Sequence, residues 1–305
     1  MADYSFLQNS VSKKWTITAP RRAHRPDVAN GAEPACPFCP GQEAKEKEYY
    51  RVPARNATQS VAGGGGTEGD QDWKVRVIPN KYPFAPIHEL VLNTPDHHQS
   101  FEVFDLEQIE LIFQTYRQRY NEHSHKGQVY IFHNHGQKAG ESLPHSHTQI
   151  AVIPEKVLLE MPRFESVYSE ESRAVETSHF SLFCPKTSQW PDEVWVAPKK
   201  HGRVFGEITD DEIADLAGTF SRLIKLMDTR HGKELPFNFY IYPGGDWYLR
   251  FIPREKTLGG FEVGTGVFVN TQKTQDTVAF LKEHFEKLDF EKISKEHLAE
   301  YHKSV

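Results

Sequence analysis

A block of this chain recurs in its second half, and that repetition narrows the possible folds more than any other feature. His88-Glu89-Leu90-Val91-Leu92-Asn93-Thr94-Pro95-Asp96-His97 aligns with Asp192-Glu193-Val194-Trp195-Val196-Ala197-Pro198-Lys199-Lys200-His201, 104 positions later. Each block is followed by a Phe-containing turn and an acidic helix start, at Asp105-Leu106-Glu107 and at Thr209-Asp210-Asp211-Glu212. Farther on, Gln149-Ile150-Ala151-Val152-Ile153-Pro154 aligns with Tyr248-Leu249-Arg250-Phe251-Ile252-Pro253 at a nearly equal offset. Chance likeness among amphipathic strands rarely gives two matches in step, so duplication is the better reading. The first copy has strand runs at Lys74–Ile78, Glu89–Leu92, Val129–Phe132 and Thr148–Ile153, and the second repeats this plan. Between the second and third of those runs, Leu106, Ile109, Ile112 and Phe113 mark a helix over Leu106–Tyr120. The expected fold is α+β, two tandem units sharing a mainly antiparallel sheet flanked by helices, with halves at 1–158 and 159–305.

Composition excludes several classes. With 36 Lys and Arg against 42 Asp and Glu, the net charge of −6 gives no basic field for nucleic acid or anionic membranes. No apolar run approaches the roughly 20 residues of a membrane helix. Met1-Ala2-Asp3-Tyr4 lacks the basic and apolar stretches of a secretory signal, and three cysteines make no disulfide framework. A soluble, cytoplasmic protein is expected. The run Ala62-Gly63-Gly64-Gly65-Gly66-Thr67 sits far from any strand–turn–helix context and reads as a mobile surface loop, not a phosphate cradle.

The chemistry concentrates in Asn134-His135-Gly136-Gln137-Lys138-Ala139-Gly140-Glu141-Ser142-Leu143-Pro144-His145-Ser146-His147-Thr148-Gln149. A glycine-containing loop lets backbone N–H groups approach an anion. At the start of a strand, residues two apart share a face, so His145, His147 and Gln149 line one side. A neutral imidazole there is suited to attack phosphorus, and an amide donates to a phosphoryl oxygen without adding charge. Cys36-Pro37-Phe38-Cys39 is half of a zinc site by spacing.

This histidine segment resembles the active-site motif of the galactose-1-phosphate uridylyltransferase branch of the histidine-triad superfamily, in which Gln replaces the third histidine of the nucleotide hydrolases. Arg22-Ala23-His24-Arg25-Pro26, Val77-Ile78-Pro79-Asn80-Lys81-Tyr82-Pro83 and Gly259-Gly260-Phe261-Glu262-Val263-Gly264-Thr265-Gly266 resemble further segments of that family. The last resembles its short members, ADP-glucose phosphorylase included, and the likeness spans about residues 10 to 285. The resemblance implies a histidine-triad-like fold with His147 as nucleophile, forming a nucleotidyl-histidine. It implies that Gln149 and Ser142 hold the transferred phosphoryl oxygens and that Asn134 and Gly140 position phosphates. Arg22, Arg25 and Asn80 would bind the nucleotide, although Arg22 and Arg25 taken alone read as solvated surface. It further implies Zn2+ held by Cys36, Cys39, His145 and His97, with His98 the rival of His97, and a homodimer. Cys184 is expected to be a buried thiol.

The implied activity transfers UMP between UDP-glucose and galactose 1-phosphate in a ping-pong cycle. The alternatives are a phosphorylase acting on ADP-glucose and inorganic phosphate, or a non-catalytic zinc-stabilised nucleotide binder; Gln149 disfavours a hydrolase. In the second copy, aligning Pro253 with Pro154 sets Asp246 against His147 and Tyr248 against Gln149. That copy therefore lacks a nucleophile, and no second metal site is expected in it. Arg250 faces either an active site or solvent.

Overall fold

The computed structural model describes residues 4–25, 36–43, 47–53, 73–232 and 235–287. The glycine run at 62–67 lies outside them. A hairpin of β1 (Ser5–Gln8) and β2 (Trp15–Thr18) stands apart from one ten-stranded sheet. The sheet's strands are β3 (Tyr50–Pro53), β4 (Trp73–Pro79), β5 (Ile87–Leu92), β6 (Gln128–His135), β7 (His147–Ile153), β8 (Arg173–Glu176), β9 (Phe180–Phe183), β10 (Val194–Pro198), β11 (Phe237–Ile241) and β12 (Leu249–Pro253). The helices are α1 (Leu106–His123), α2 (Phe164–Val167), α3 (Asp210–His231), α4 (Gly260–Thr265) and α5 (Thr274–His284). Among the described residues no helix is long and apolar enough to cross a membrane.

The strand order β3-β4-β5-β7-β6-β11-β12-β10-β9-β8 is its own mirror about the β6–β11 pair, and every neighbouring pair is antiparallel. Outward from that centre, β6, β7, β5, β4, β3 match β11, β12, β10, β9, β8. Helix α1 follows β5 as α3 follows β10. The acidic helix starts act as caps: Asp105 Oδ1 accepts the Gln108 N–H at 2.7 Å, and Thr209 pairs with Glu212 in a capping box. The duplication is thus one of architecture. Residue by residue, however, the 104 offset exchanges the sheet faces. Val91 lies in the helix-covered core while Trp195, its aligned partner, lies on the opposite face; Val194 and Val196 take the core positions. Strand side chains alternate with period two, and the core takes odd-numbered Val91 in β5 but even-numbered Val194 and Val196 in β10, so between these two strands only an odd offset preserves the face. The second block, offset by 99, does preserve it.

The helix side of the sheet is one continuous apolar core. Phe220 of α3 meets Phe239 at 5.0 Å, Phe101 at 5.3 Å and Phe113 at 5.8 Å, all fully buried, so both halves share one aromatic knot. The two halves differ on the other face. In the second, Phe183, Trp190, Trp195, Tyr240 and Tyr248 pack beneath Met161, Phe164 and Tyr168, the stretch that leaves β7. Arg250 lies inside this layer, 6% exposed, with Nη2 donating to Glu193 Oε2 at 2.8 Å and Nη1 to Tyr240 Oη at 3.0 Å. It therefore faces neither solvent nor an open site; the ion pair compensates its burial. In the first half the same face is left partly open.

Candidate active site and metal centre

The open face is a cleft of about 240 Å³. Phe38, Ile78, Leu90 and Leu143 supply apolar walls, and Arg25, Asn80, Ser142, His147 and Gln149 supply polar groups. Apolar walls with a few convergent polar groups are the usual make-up of a small-molecule site. His147 opens β7 opposite Leu92, and Gln149 stands two residues on, opposite Leu90 and Phe132, so the alternation of the strand aims both side chains into the cleft.

The protonation of His147 follows from its neighbours. Its Nδ1 lies 2.8 Å from the His145 carbonyl oxygen, which can only accept, so Nδ1 carries the hydrogen and Nε2 keeps its lone pair. Burial lowers the pKa of His147, and the Arg25 charge lowers it further. The imidazole is therefore neutral near pH 7, with Nε2 a competent nucleophile. Phe38, between the two cysteines, packs 5.4 Å from the His147 ring and 5.9 Å from the His145 ring.

Cys36, Cys39, His97 and His145 converge, with one ligand atom from each lying within 4.8 Å of all the others. Cys39 Sγ is 3.3 Å from His97 Nδ1, and His145 Nδ1 is 3.7 Å from both sulfurs. Tetrahedral zinc with S and N ligands spaces such atoms by about 3.6 Å. The donor set and its spacing therefore fit a four-coordinate metal. Burial pushes the Cys36 thiol up to about 11, so a cation is needed to make its thiolate the stable form. His145 Nε2–H donates to the Thr94 carbonyl at 2.7 Å, which leaves Nδ1 as the ligand atom and supplies the outer hydrogen bond that orients a metal-bound histidine. His98 is exposed and outside the group, while His97 is in it.

The remaining predicted residues divide. Arg25, Asn80 and Ser142 line the cleft, and Asn80 Oδ1 accepts the Tyr82 N–H at 2.8 Å. Arg22 sits behind them, with Nη1 donating to the Tyr82 carbonyl at 2.7 Å and its guanidinium 5.0 Å from the Phe84 ring centre. Asn134 and Gly140 lie outside the cleft lining. Asn134 Oδ1 accepts from Asn238 Nδ2 at 2.8 Å, and that same amide nitrogen donates to Ala139 O at 2.9 Å. Gly140 adopts φ 84°, and Gly136 φ 80° with Pro236 so close that an added Cβ would stand 3.1 Å away. Glu141 Oε2 accepts the Gly136 N–H at 2.9 Å and closes this loop. Sequence reasoning passed over His88, whose Nε2 lies 3.0 Å from Gln149 Oε1, and Phe38 with Leu90, which wall the cleft. The alternation of β5 was the available signal: it puts His88, Leu90 and Leu92 on the Gln149 face. Cys184 is buried, with its thiol pushed up by that burial.

Residues 87–152 match the family model of galactose-1-phosphate uridyl transferase, N-terminal domain. ADP-glucose phosphorylase of Arabidopsis thaliana is 27% identical, the match covering 90% of this chain and 92% of that protein. Galactose-1-phosphate uridylyltransferase of Thermotoga maritima is 24% identical, over 90% of this chain and 96% of that protein. A crystal structure of the Arabidopsis ADP-glucose phosphorylase with bound ADP-glucose superposes with a TM-score of 0.68 at 25% identity, covering 92% of this chain and 99% of that one. In sequence and in fold, the chain is similar to the galactose-1-phosphate uridylyltransferases and to ADP-glucose phosphorylase.

Proposed function

We propose that the chain is a nucleotidyl-transferring enzyme that takes a nucleoside monophosphate from a nucleotide sugar by way of His147. The observation that carries this reading is the His147 tautomer: Nδ1–H is held by a backbone carbonyl, and Nε2 stands unprotonated at a cleft shared with Gln149, Ser142 and Arg25. In the first half-reaction Nε2 attacks the α-phosphorus. The N–P bond forms as the bond from that phosphorus to the bridging oxygen breaks, and hexose 1-phosphate leaves with the electron pair. In the second, a phosphate oxygen of the acceptor attacks the same phosphorus and the N–P bond breaks, restoring neutral His147. Gln149 and Ser142 donate to the non-bridging oxygens, where charge grows in both transition states. Arg25 and Asn80 bind the nucleotide, and the Gly136–Ser142 loop steadies the phosphates while Asn134 and Asn238 brace it from outside the cleft.

The metal of this reading is zinc, held by Cys36, Cys39, His97 and His145. It would neutralise two thiolates and tie the Cys36–Cys39 knuckle to the strand that carries His147. With four protein ligands it would have no open position, so its contribution would be structural and every bond change stays with His147 and the substrates.

Two donor–acceptor pairs suit this chemistry: UDP-glucose with galactose 1-phosphate, and ADP-glucose with inorganic phosphate. The second is favoured by the 27% identity to ADP-glucose phosphorylase along 90% of the chain. The test is intact mass after separate incubation with each donor. Gain of one AMP supports the phosphorylase reading and gain of one UMP the uridylyltransferase reading; in either case the adduct must vanish in His147→Gly. No adduct from either donor would overturn the covalent mechanism and favour a nucleotide-binding role.

A further inference from the structure

Gln149 carries an amide with two unlike ends. Oε1 accepts hydrogen bonds and Nε2 donates two. A phosphoryl oxygen gaining charge beside His147 is stabilised by the donor end and repelled by the acceptor end. The backbone of β7 does not choose between them, since half a turn about the last side-chain torsion exchanges the two.

The neighbour able to choose is His88. Its ring is buried on the cleft side of β5, packed on Phe84 with centroids 4.2 Å apart. The Phe84 backbone N–H points at His88 Nδ1 from 3.3 Å. That group can only donate, so Nδ1 keeps its lone pair and the single hydrogen of the neutral ring sits on Nε2. Gln149 Oε1 lies 3.0 Å from this N–H. Turning the amide over would set N–H against N–H. Asn80 Nδ2 also lies 3.2 Å from His88 Nε2, and with Asn80 Oδ1 committed to the Tyr82 N–H it faces the ring as donor to donor; the Phe84 N–H at Nδ1 and the shorter contact of Gln149 Oε1 at 3.0 Å together outweigh this one opposed contact.

We propose that His88 is the positioning residue of the transfer step: as the Nε2–H tautomer it holds Gln149 Oε1 and thereby turns the Gln149 NH2 toward the phosphoryl group. The inference rests on the reading of Gln149 as a phosphoryl donor given above. Burial, the largest influence on this imidazole, lowers its pKa to about 3, so the ring stays neutral across the physiological range, and its contacts with the Phe84 N–H and Gln149 Oε1 set the tautomer. His88 is not among the residues lining the cleft, whereas Gln149 is, so His88 acts through Gln149.

Two measurements on the full-length protein test the proposal. The first is the nitrogen-15 spectrum of the His88 ring at pH 7, assigned by its loss in His88→Gln; a pyrrole-type Nε2 is expected, and a pyrrole-type Nδ1 overturns the proposal whatever the activity. The second is the single-turnover rate of nucleotidyl-His147 formation, with ADP-glucose and UDP-glucose as probes. His88→Phe keeps a ring and removes the donor, and should slow the step about 10- to 100-fold while donor affinity changes less than about threefold. His88→Gln, whose amide nitrogen reaches the place of Nε2, should stay within about fivefold of the native rate, whereas the shorter His88→Asn should follow His88→Phe. In a Gln149→Ala background, His88→Phe should cost nothing further. If it costs the same factor there, or if it is harmless in the native background, the assignment of His88 is wrong. If Gln149→Ala itself transfers at the native rate, the error lies in the role given to Gln149.

Discussion

His231→Gln should remove a pH-dependent share of the protein's stability, and the window in which it does so follows from the surroundings of His231. The residue ends α3 with its side chain 12% exposed. Its Nε2 approaches Asp192 Oδ2 to 2.8 Å as an ion pair without hydrogen-bond alignment, and its Nδ1 lies 3.1 Å from Glu255 Oε2. Asp192 also takes Arg230 Nε at 2.8 Å on Oδ2, with Gln272 Nε2 and Thr277 Oγ1 at 2.9 Å on Oδ1. The cluster joins the end of α3, the lead into β10 and the start of α5. Burial by itself would lower the pKa of His231, but the two carboxylates outweigh it and raise the value to about 9. The folded value thus lies above the unfolded one of about 6.5. Folding therefore favours the protonated ring, and the resulting stability is complete below about pH 6.5 and lost as pH rises through 9. A shift from 6.5 to about 9 corresponds to about 3 kcal/mol at full expression. Urea unfolding of the native chain and of His231→Gln at pH 6 and pH 10 measures it. Between those pH values the native chain should lose about 3 kcal/mol more than the variant. If the two lose stability in parallel, the pairing of His231 with Asp192 and Glu255 is energetically empty and the reasoning fails.

Metal analysis of the purified chain should find about one zinc per chain, falling well below that in Cys39→Ser and in His97→Ala but staying unchanged in His98→Ala. Gln149→His should slow transfer to the acceptor and raise release of free nucleoside monophosphate, read by following both products; equal transfer in the variant would refute the role of Gln149. Asn238→Leu removes the donor to Asn134 Oδ1 and to Ala139 O and should cost about 1–2 kcal/mol of transition-state binding, seen as a roughly 5- to 30-fold fall in kcat/KM. Phe220→Ala opens the knot beneath both halves and should cost about 3–5 kcal/mol in denaturant unfolding.

The parts of the fold legible in the sequence were those with a strong local period. Strands β4, β5, β6 and β7 and helix α1 lie within a few residues of their expected places because alternation and the Asp105 cap are local signals. Strands β3, β8 and β9 escaped notice; each has only four residues, too few to show a period. In the site, the convergence of Cys36, Cys39, His97 and His145 and the shared face of His147 and Gln149 were readable from motif spacing and family resemblance. The choice of His97 over its neighbour was not, because one residue of loop decides which ring turns inward. Nor were His88 and Asn238 readable as partners of Gln149 and Asn134. Those contacts depend on which strands pair and in what register, and the pairings span 61 and 104 positions. Arg250 was left open between two exposed fates, since a charged residue on a strand gives no sign that Glu193 and Tyr240 will meet it inside.

The two halves also show why a copy without the cleft is kept in the fold. The β6–β11 pair is the centre of the sheet, and a single unit ending at β6 would expose that strand's hydrogen-bonding edge directly beneath the Gly136–Ser142 loop. The second unit fills the edge with β11 and reaches across it: Asn238 holds Asn134 and Ala139, Pro236 packs under Gly136, and Arg254 Nη1 donates to Asn238 Oδ1 at 2.6 Å. On its own cleft-side face, Trp195, Tyr248 and the Arg250–Glu193 pair make core. The sheet needs both copies, the cleft lies in one, and the side chains joining them at β6 and β11 put the stability of the second at the service of the first.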